Sequence, residues 1–190
     1  MTQNEVTRHT LSVLVEDVES IIARVVGMFS RRGYSLVSLV SAHTETPGIN
    51  RLTIVVDASE VIIEQVTKQL NKLIPVIKVV ELKEDSTVAR AIMLVKVSAD
   101  NSNRAQVVDA VNIFRARVVD VAKESVVVEA TGTPGKLAAL LEVLEPFGIR
   151  ELVQSGHVAL GRGPKATAPK KEIKSHDVNT MSRAVVYTLR

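Results

Sequence analysis

The chain of 190 residues has no cysteine and no tryptophan, and aromatic residues make up only 3% of it. Without cysteine there is no disulfide framework, no thiolate metal site and no cysteine nucleophile, which suits a reducing compartment. No apolar run approaches the roughly 18 residues that a membrane span requires. The opening stretch MTQNEVTRHT carries neither an apolar signal core nor a small-residue cleavage pattern. These absences lead to the expectation of a soluble, cytoplasmic protein with no membrane partner. Motifs of catalysis are missing as well. His9, His43, His157 and His176 are scattered, with no HxxxH or HExxH spacing. There is no GxSxG elbow, P-loop or GxGxxG. Gly161-Arg162-Gly163-Pro164 is glycine-rich, but no helical stripe follows it to make a phosphate cradle. No catalytic residue and no metal site are nominated.

What the chain does have is aliphatic bulk. Hydrophobic residues reach 46%, mostly Val, Leu, Ile and Ala, a composition suited to sheets packed against helices. The calculated pI is 9.3 and the net charge +3. The basic excess lies in residues 164–190, which hold six Lys or Arg against two acids, so the preceding body is slightly acidic. That distribution gives the body no electrostatic footprint for nucleic acid.

One unit occurs twice. Strand-like runs at Thr10–Glu16, Ser35–His43, Asn50–Asp57 and Val76–Leu82 alternate with two helical stripes. The first stripe is Ile21, Ile22, Val25, Val26 and Phe29; the second is Ile62, Val66, Leu70 and Leu73. Arg32-Gly33 ends the first helix with a basic turn and a C′ glycine. Ile74-Pro75 ends the second, because proline disfavours helix at the residue before it. Pro47-Gly48 marks a hairpin turn. After a polar joint at 82–89, the order recurs: a strand at Ile92–Val97, then a stripe at Val107, Val108, Val111 and Phe114. A hairpin of Arg117–Val121 and Ser125–Ala130 follows, then a helix lined by Leu137, Leu140, Leu141 and Leu144, then a strand at Ile149–Val153. Thr133-Pro134 reads as an N-cap with proline at N1.

The expected fold class is therefore α+β, two tandem ferredoxin-like βαββαβ domains over 1–84 and 85–163, with a basic tail over 164–190 that reads as disordered through residue 177 and closes on a short apolar run, MSRAVVYTLR (181–190), open to a weak helix, a strand or a loose end. Each sheet should carry helices on one face and leave the other face and its edges uncovered, which invites a homodimer. RNA-binding domains share this element order but read bases with sheet aromatics. The inner strands Arg51–Asp57 and Ser125–Glu129 have none.

Residues 8–36 hold the most informative feature. The strand ends in an acidic loop, Glu16-Asp17-Val18-Glu19, and a helix begins at once. Capping of the helix amides and complementing of its dipole is the leading role for these acids. The same amides are also donors for a small carboxylate, and the loop's acceptors and aliphatic walls suit the remainder of an amino acid.

Several runs resemble the small, regulatory subunit of acetolactate synthase (acetohydroxyacid synthase), most of all its actinobacterial members. They are LSVLVEDVESIIARVVGMFSRRGYSLVSL (11–39), TPGINRLTIVVDA (46–58), EQVTKQLNKLIPVIKVVEL (64–82), ARAIMLVKV (89–97), NIFRARVVDV (112–121) and TGTPGKLAALLEVLEPFGIRELVQSGHVALGRG (131–163). The resemblance implies that the first domain is an ACT domain and that the chain has no active site or cofactor of its own. It implies a partner, the catalytic (large) subunit, a transferase holding thiamine diphosphate, FAD and Mg²⁺. The chain would activate that subunit and bring feedback inhibition by valine in the biosynthesis of valine, leucine and isoleucine. Valine would lie between the ACT domains of a homodimer. Asp17, Val18, Glu19, Ser20, Ile21 and Ile22 would come from one protomer, and Ser35 and Leu36 from the other.

The chain departs from the family pattern inside this site. Ser20 stands where the family usually has glycine, and Ser35 where it usually has asparagine. Glycine permits a positive φ and close backbone approach, so Ser20 either crowds the ligand or serves as an N-cap. The expected consequence is a weakened or altered valine response. An alternative role, in another class, is a stand-alone amino-acid sensor that regulates a different enzyme.

Overall fold

The computed structural model describes residues 5–168 and 185–188. The chain divides into two compact units, one formed by Met1–Val88 with Val158–Arg190 and the other by Ala89–His157. The sequence places 158–163 in the second domain; in the structure they group with the first unit, where the Arg162 N–H donates to Ser86 O at 2.7 Å.

The first unit contains β1 (Thr7–Glu16), α1 (Ile21–Arg32), β2 (Ser35–His43), β3 (Ile49–Ala58), α2 (Glu60–Leu70) and β4 (Val76–Leu82). In the second, β5 (Thr87–Ser98, beginning just before the boundary) leads to α3 (Arg104–Ile113), β6 (Arg117–Val121), β7 (Ser125–Gly132), α4 (Pro134–Leu144) and β8 (Ile149–Gln154). Two short strands follow in the first unit, β9 (Val158–Gly161) and β10 (Val185–Thr188). The duplicated βαββαβ order is present as read from the sequence. The polar joint is shorter than 82–89, because only Glu84–Ser86 forms a 3-10 turn and β5 starts at Thr87.

In the first sheet the strand order is β10-β2-β3-β1-β4, all antiparallel. Leu11, Val13 and Val15 of β1 and Leu52, Ile54 and Val56 of β3 point to the helices, where Val25, Phe29, Val66 and Leu70 complete the core. The stripe of α2 runs through Val66, Leu70 and Leu73 as read, but opens at the buried Ile63 and not at Ile62, which is 37% exposed. Gly33 closes α1 at φ 65°, a left-handed conformation that brings the Tyr34 and Gly33 amides onto Phe29 O and Ser30 O. In the second sheet the order is β6-β7-β5-β8, and Met93, Val95, Val97, Val126 and Val128 meet Val107, Val111, Leu137, Leu140 and Leu144. Thr133 caps α4 by accepting from the Lys136 N–H, and Pro134 follows at N1.

One expectation is corrected. The helix-free face of the first sheet is not uncovered. Ser12, Leu14, Val40, Thr53 and Val55 point away from the helices and are each at most 5% exposed. Part of the tail lies on this face, where Arg51 of β3 donates from Nη1 to Ser12 Oγ (2.8 Å) and from Nη2 to Thr167 O (3.2 Å). Of the forms open to the closing apolar run, the structure takes the strand: residues 185–188 form β10 on β2. Val185, Val186 and Thr188 are β-branched and Tyr187 aromatic, a strand-forming run in a polar setting. The remainder of the tail, 169–184 and 189–190, with the rest of the segment expected to be disordered, lies outside the described residues.

Candidate functional site: the loop between β1 and α1

β1 delivers the chain to Glu16 at one end of the first sheet, and the next four residues turn it into α1. The loop is held by backbone bonds from three sides. The Glu16 N–H donates to Pro75 O (2.8 Å), the Asp17 N–H to Gly48 O in the β2–β3 turn (2.9 Å), and the Ile21 N–H back to Val18 O (3.3 Å). Gly48, at φ 77°, makes that approach with a conformation that an L side chain rarely adopts. Val18 and Glu19 are exposed, Ser20 is exposed, Ile21 is buried in the core and Ile22 is half-buried against it.

The Asp17 carboxylate makes no capping bond to the helix, which corrects the capping part of the role expected for the loop's acids. Its Oδ1 accepts from Asn50 Nδ2 at 2.8 Å. Asn50 is 7% exposed, and its Oδ1 lies 3.1 Å from His43 Nδ1. Because an amide oxygen only accepts, the His43 proton sits on Nδ1. Asp17, Asn50 and His43 thus form a three-residue relay across the ends of β1, β3 and β2. Asn50 and His43 were not nominated from the sequence. The available signal was a polar residue opening an otherwise apolar strand, which a buried position must pair.

Ser20 occupies the N-cap of α1 at φ 72°, ψ −2°, in the left-handed region, and its side chain caps no amide of the helix. Its Oγ instead accepts from Arg24 Nε at 3.2 Å. Of the two roles open to Ser20, the N-cap is excluded. The backbone shape is the one that suits glycine, imposed here on a residue with a Cβ at a cost of about 1–2 kcal/mol. α1 has no acid in its first turn; the nearby acids stand in the loop just before it, at Glu16, Asp17 and Glu19.

Ser35 and Leu36 lie at the opposite end of the sheet. Ser35 faces Asp57 across β2–β3, and Asp57 faces Arg8 across β3–β1, whereas Glu16 faces Ile49. Eight residues of β3 separate these ends, roughly 25 Å at strand rise. One chain does not bring all eight nominated residues together. A β-bulge between Leu36 and Ser38 re-aims the start of β2. Beside it, Arg8 grips Asp57 through two bonds of 2.9 and 3.1 Å, and that pairing holds the Asp57 carboxyl below the usual carboxylate range. Among the described residues no three of His, Asp or Glu gather as metal ligands.

A family model described as "AHAS small subunit-like ACT domain" matches residues 11–78, and one described as "Small subunit of acetolactate synthase" matches residues 90–163. The chain is 55% identical over 168 residues to the acetolactate synthase small subunit of Mycolicibacterium smegmatis, covering 88% of this chain and 99% of that relative. Over 158 residues it is 45% identical to a probable acetolactate synthase small subunit of Archaeoglobus fulgidus, covering 83% of this chain and 99% of the relative. Among solved structures, the acetolactate synthase small subunit of Thermotoga maritima superposes with a TM-score of 0.78 at 32% identity, covering 84% of this chain and 99% of that one.

Proposed function

The chain belongs to the acetolactate synthase small-subunit family, and from that premise we propose that it activates a catalytic large subunit and gives it feedback control by valine. The chain itself has an ACT-like first domain and is a regulatory subunit. In this reading the thiamine diphosphate, FAD and Mg²⁺ of the holoenzyme belong to the catalytic subunit, and the complex works in the cytoplasm.

One observation supports the effector site above the others. The loop before α1 leaves a left-handed, uncapped helix start beside a carboxylate oriented by a buried asparagine. Helix-start amides donate to the effector's carboxylate, Asp17 accepts from its ammonium, and Val18, Ile21 and Ile22 line the side chain. Ser35 and Leu36 reach this loop from a second copy, since their own chain holds them at the far end of the sheet. Valine bound across two protomers then fixes their relative geometry, and inhibition follows to the extent that one geometry binds it better.

The test is to assay the catalytic subunit with and without the full chain while titrating valine, leucine and isoleucine. The expected result is higher activity with the chain and loss of that activity with valine. The Cβ of Ser20 and the short Ser35 weaken the response, so Ser20→Gly and Ser35→Asn should tighten valine binding in calorimetry. Tight binding by the unaltered chain that neither substitution changes would contradict their role.

A further inference from the structure

We propose that β10 is a built-in edge strand that competes with a second copy of this chain for β2, so that the tail restrains self-association. This rests on the dimeric part of the functional reading above. Three observations converge on it. The first concerns position: Val185, Val186, Tyr187 and Thr188 pair antiparallel with Ser41, Val40, Leu39 and Ser38. Without β10, β2 is the edge of the sheet and presents a row of unpaired backbone groups, a template for another strand. The second concerns origin. The family model ends at residue 163, and 88% of this chain already covers 99% of a relative, so β10 lies beyond what the family shares. The third is the place of Ser35 and Leu36 at the head of the same β2, the residues that the functional reading assigns to contact with the second copy.

The tail is held at two points, at Thr167 through Arg51 and at 185–188 through β2. Tethering to the same chain gives a docking segment an effective concentration on the order of millimolar, enough for a weak four-residue strand to compete with a dilute second copy. Where β10 is docked on both protomers, each must release it before the two β2 strands come within reach of each other. Dimerisation therefore draws only on the released fraction.

The chain has no cysteine, which makes a direct test available. Ser38→Cys with Thr188→Cys puts thiols on register partners, at Cα separations compatible with a disulfide. On a non-reducing gel of the oxidised full chain, a disulfide within one chain is expected. No disulfide, or one formed only between chains, would overturn the placement of β10. For the competition, Val186→Pro with Tyr187→Pro removes a ladder donor whichever way the strand alternates. Sedimentation of the full chain should show this variant dimerising about tenfold more tightly than the unaltered protein, and the oxidised cysteine pair dimerising less tightly than its reduced form. Equal dimerisation in all forms overturns the competition while leaving the dimer intact. A proline variant that stays monomeric at every concentration overturns the dimeric reading itself.

Discussion

The two domains share one element order and diverge at the loop between their first strand and first helix. In the second domain the loop is closed on itself. Asp100 Oδ1 accepts from the Ser102 hydroxyl and from the Ser102 and Asn103 amides (2.8 and 3.3 Å for the amides), and these bonds, led by that from the Ser102 hydroxyl, hold its carboxyl below the usual range. The Arg104 guanidinium then ties together the carbonyls of Ala99, Ala122 and Lys123. In the first domain the acid of the equivalent loop, Asp17, stands one position earlier and pairs with Asn50, and the helix begins at an uncapped Ser20 with positive φ. The same loop in the same fold is thus a structural joint in one copy and a candidate binding loop in the other. The first domain's loop is the one that starts its helix without a side-chain cap and at a strained residue, the kind of position where a functional role is proposed above.

The sheets differ in parallel. β5 alternates strictly, with Ile92 and Leu94 44% and 38% exposed on the helix-free face, whereas β1 buries Ser12 and Leu14 there as fully as its core residues. The largest expected effect sharpens this contrast: Leu14→Ala should destabilise the first domain by about 2–4 kcal/mol through lost burial and a residual cavity. Leu94→Ala should change stability by about 1 kcal/mol or less. Denaturant unfolding compares the two, and equal losses would break the contrast. Next, Asn50→Ala removes the partner that orients Asp17 and should lower stability by about 1–2 kcal/mol, with valine affinity falling in the same variant by calorimetry. Ser20→Gly has the opposite sign. Relief of the left-handed strain exceeds the entropy gained by the unfolded chain, for a net stabilisation of about 0.5–1 kcal/mol in thermal unfolding.

The smallest effect concerns pH. The folded-state pKa of Asp57 is depressed by Arg8, so the pair stabilises the fold above the ordinary carboxylate pKa. That contribution is lost as pH falls through the depressed value. Asp57→Asn should flatten the acid limb of a stability–pH curve slightly and leave it unchanged near neutrality apart from a constant offset.

Most of the fold was legible because its signals are local. The stripes of α1 and α4, the stop at Gly33 and the cap at Thr133 depend on neighbours within a turn. The helix-free face was not legible. The apolar run of β1, SVLV, reports two buried sides but not what covers the second, and its cover comes in part from residues more than a hundred positions away. The first position of the α2 stripe was read one residue early because Ile62 and Ile63 are both apolar, and only packing distinguishes them. In the site, the acidic loop could be located from its place before a helix. Its wiring could not, because Asp17 pairs with Asn50 on another strand, and Ser20's positive φ is set by the loop as a whole.

The most direct measurement is a calorimetric titration of valine into the full chain carrying Asp17→Ala and, separately, Asp100→Ala. The account predicts that Asp17→Ala weakens binding at least about tenfold, a loss of roughly 1.4 kcal/mol, while the fold is retained. Asp100→Ala should lower the melting temperature of the second domain and leave valine binding as it was. Unchanged binding in Asp17→Ala, or an equal loss in both variants, would contradict the assignment of the effector loop to the first domain.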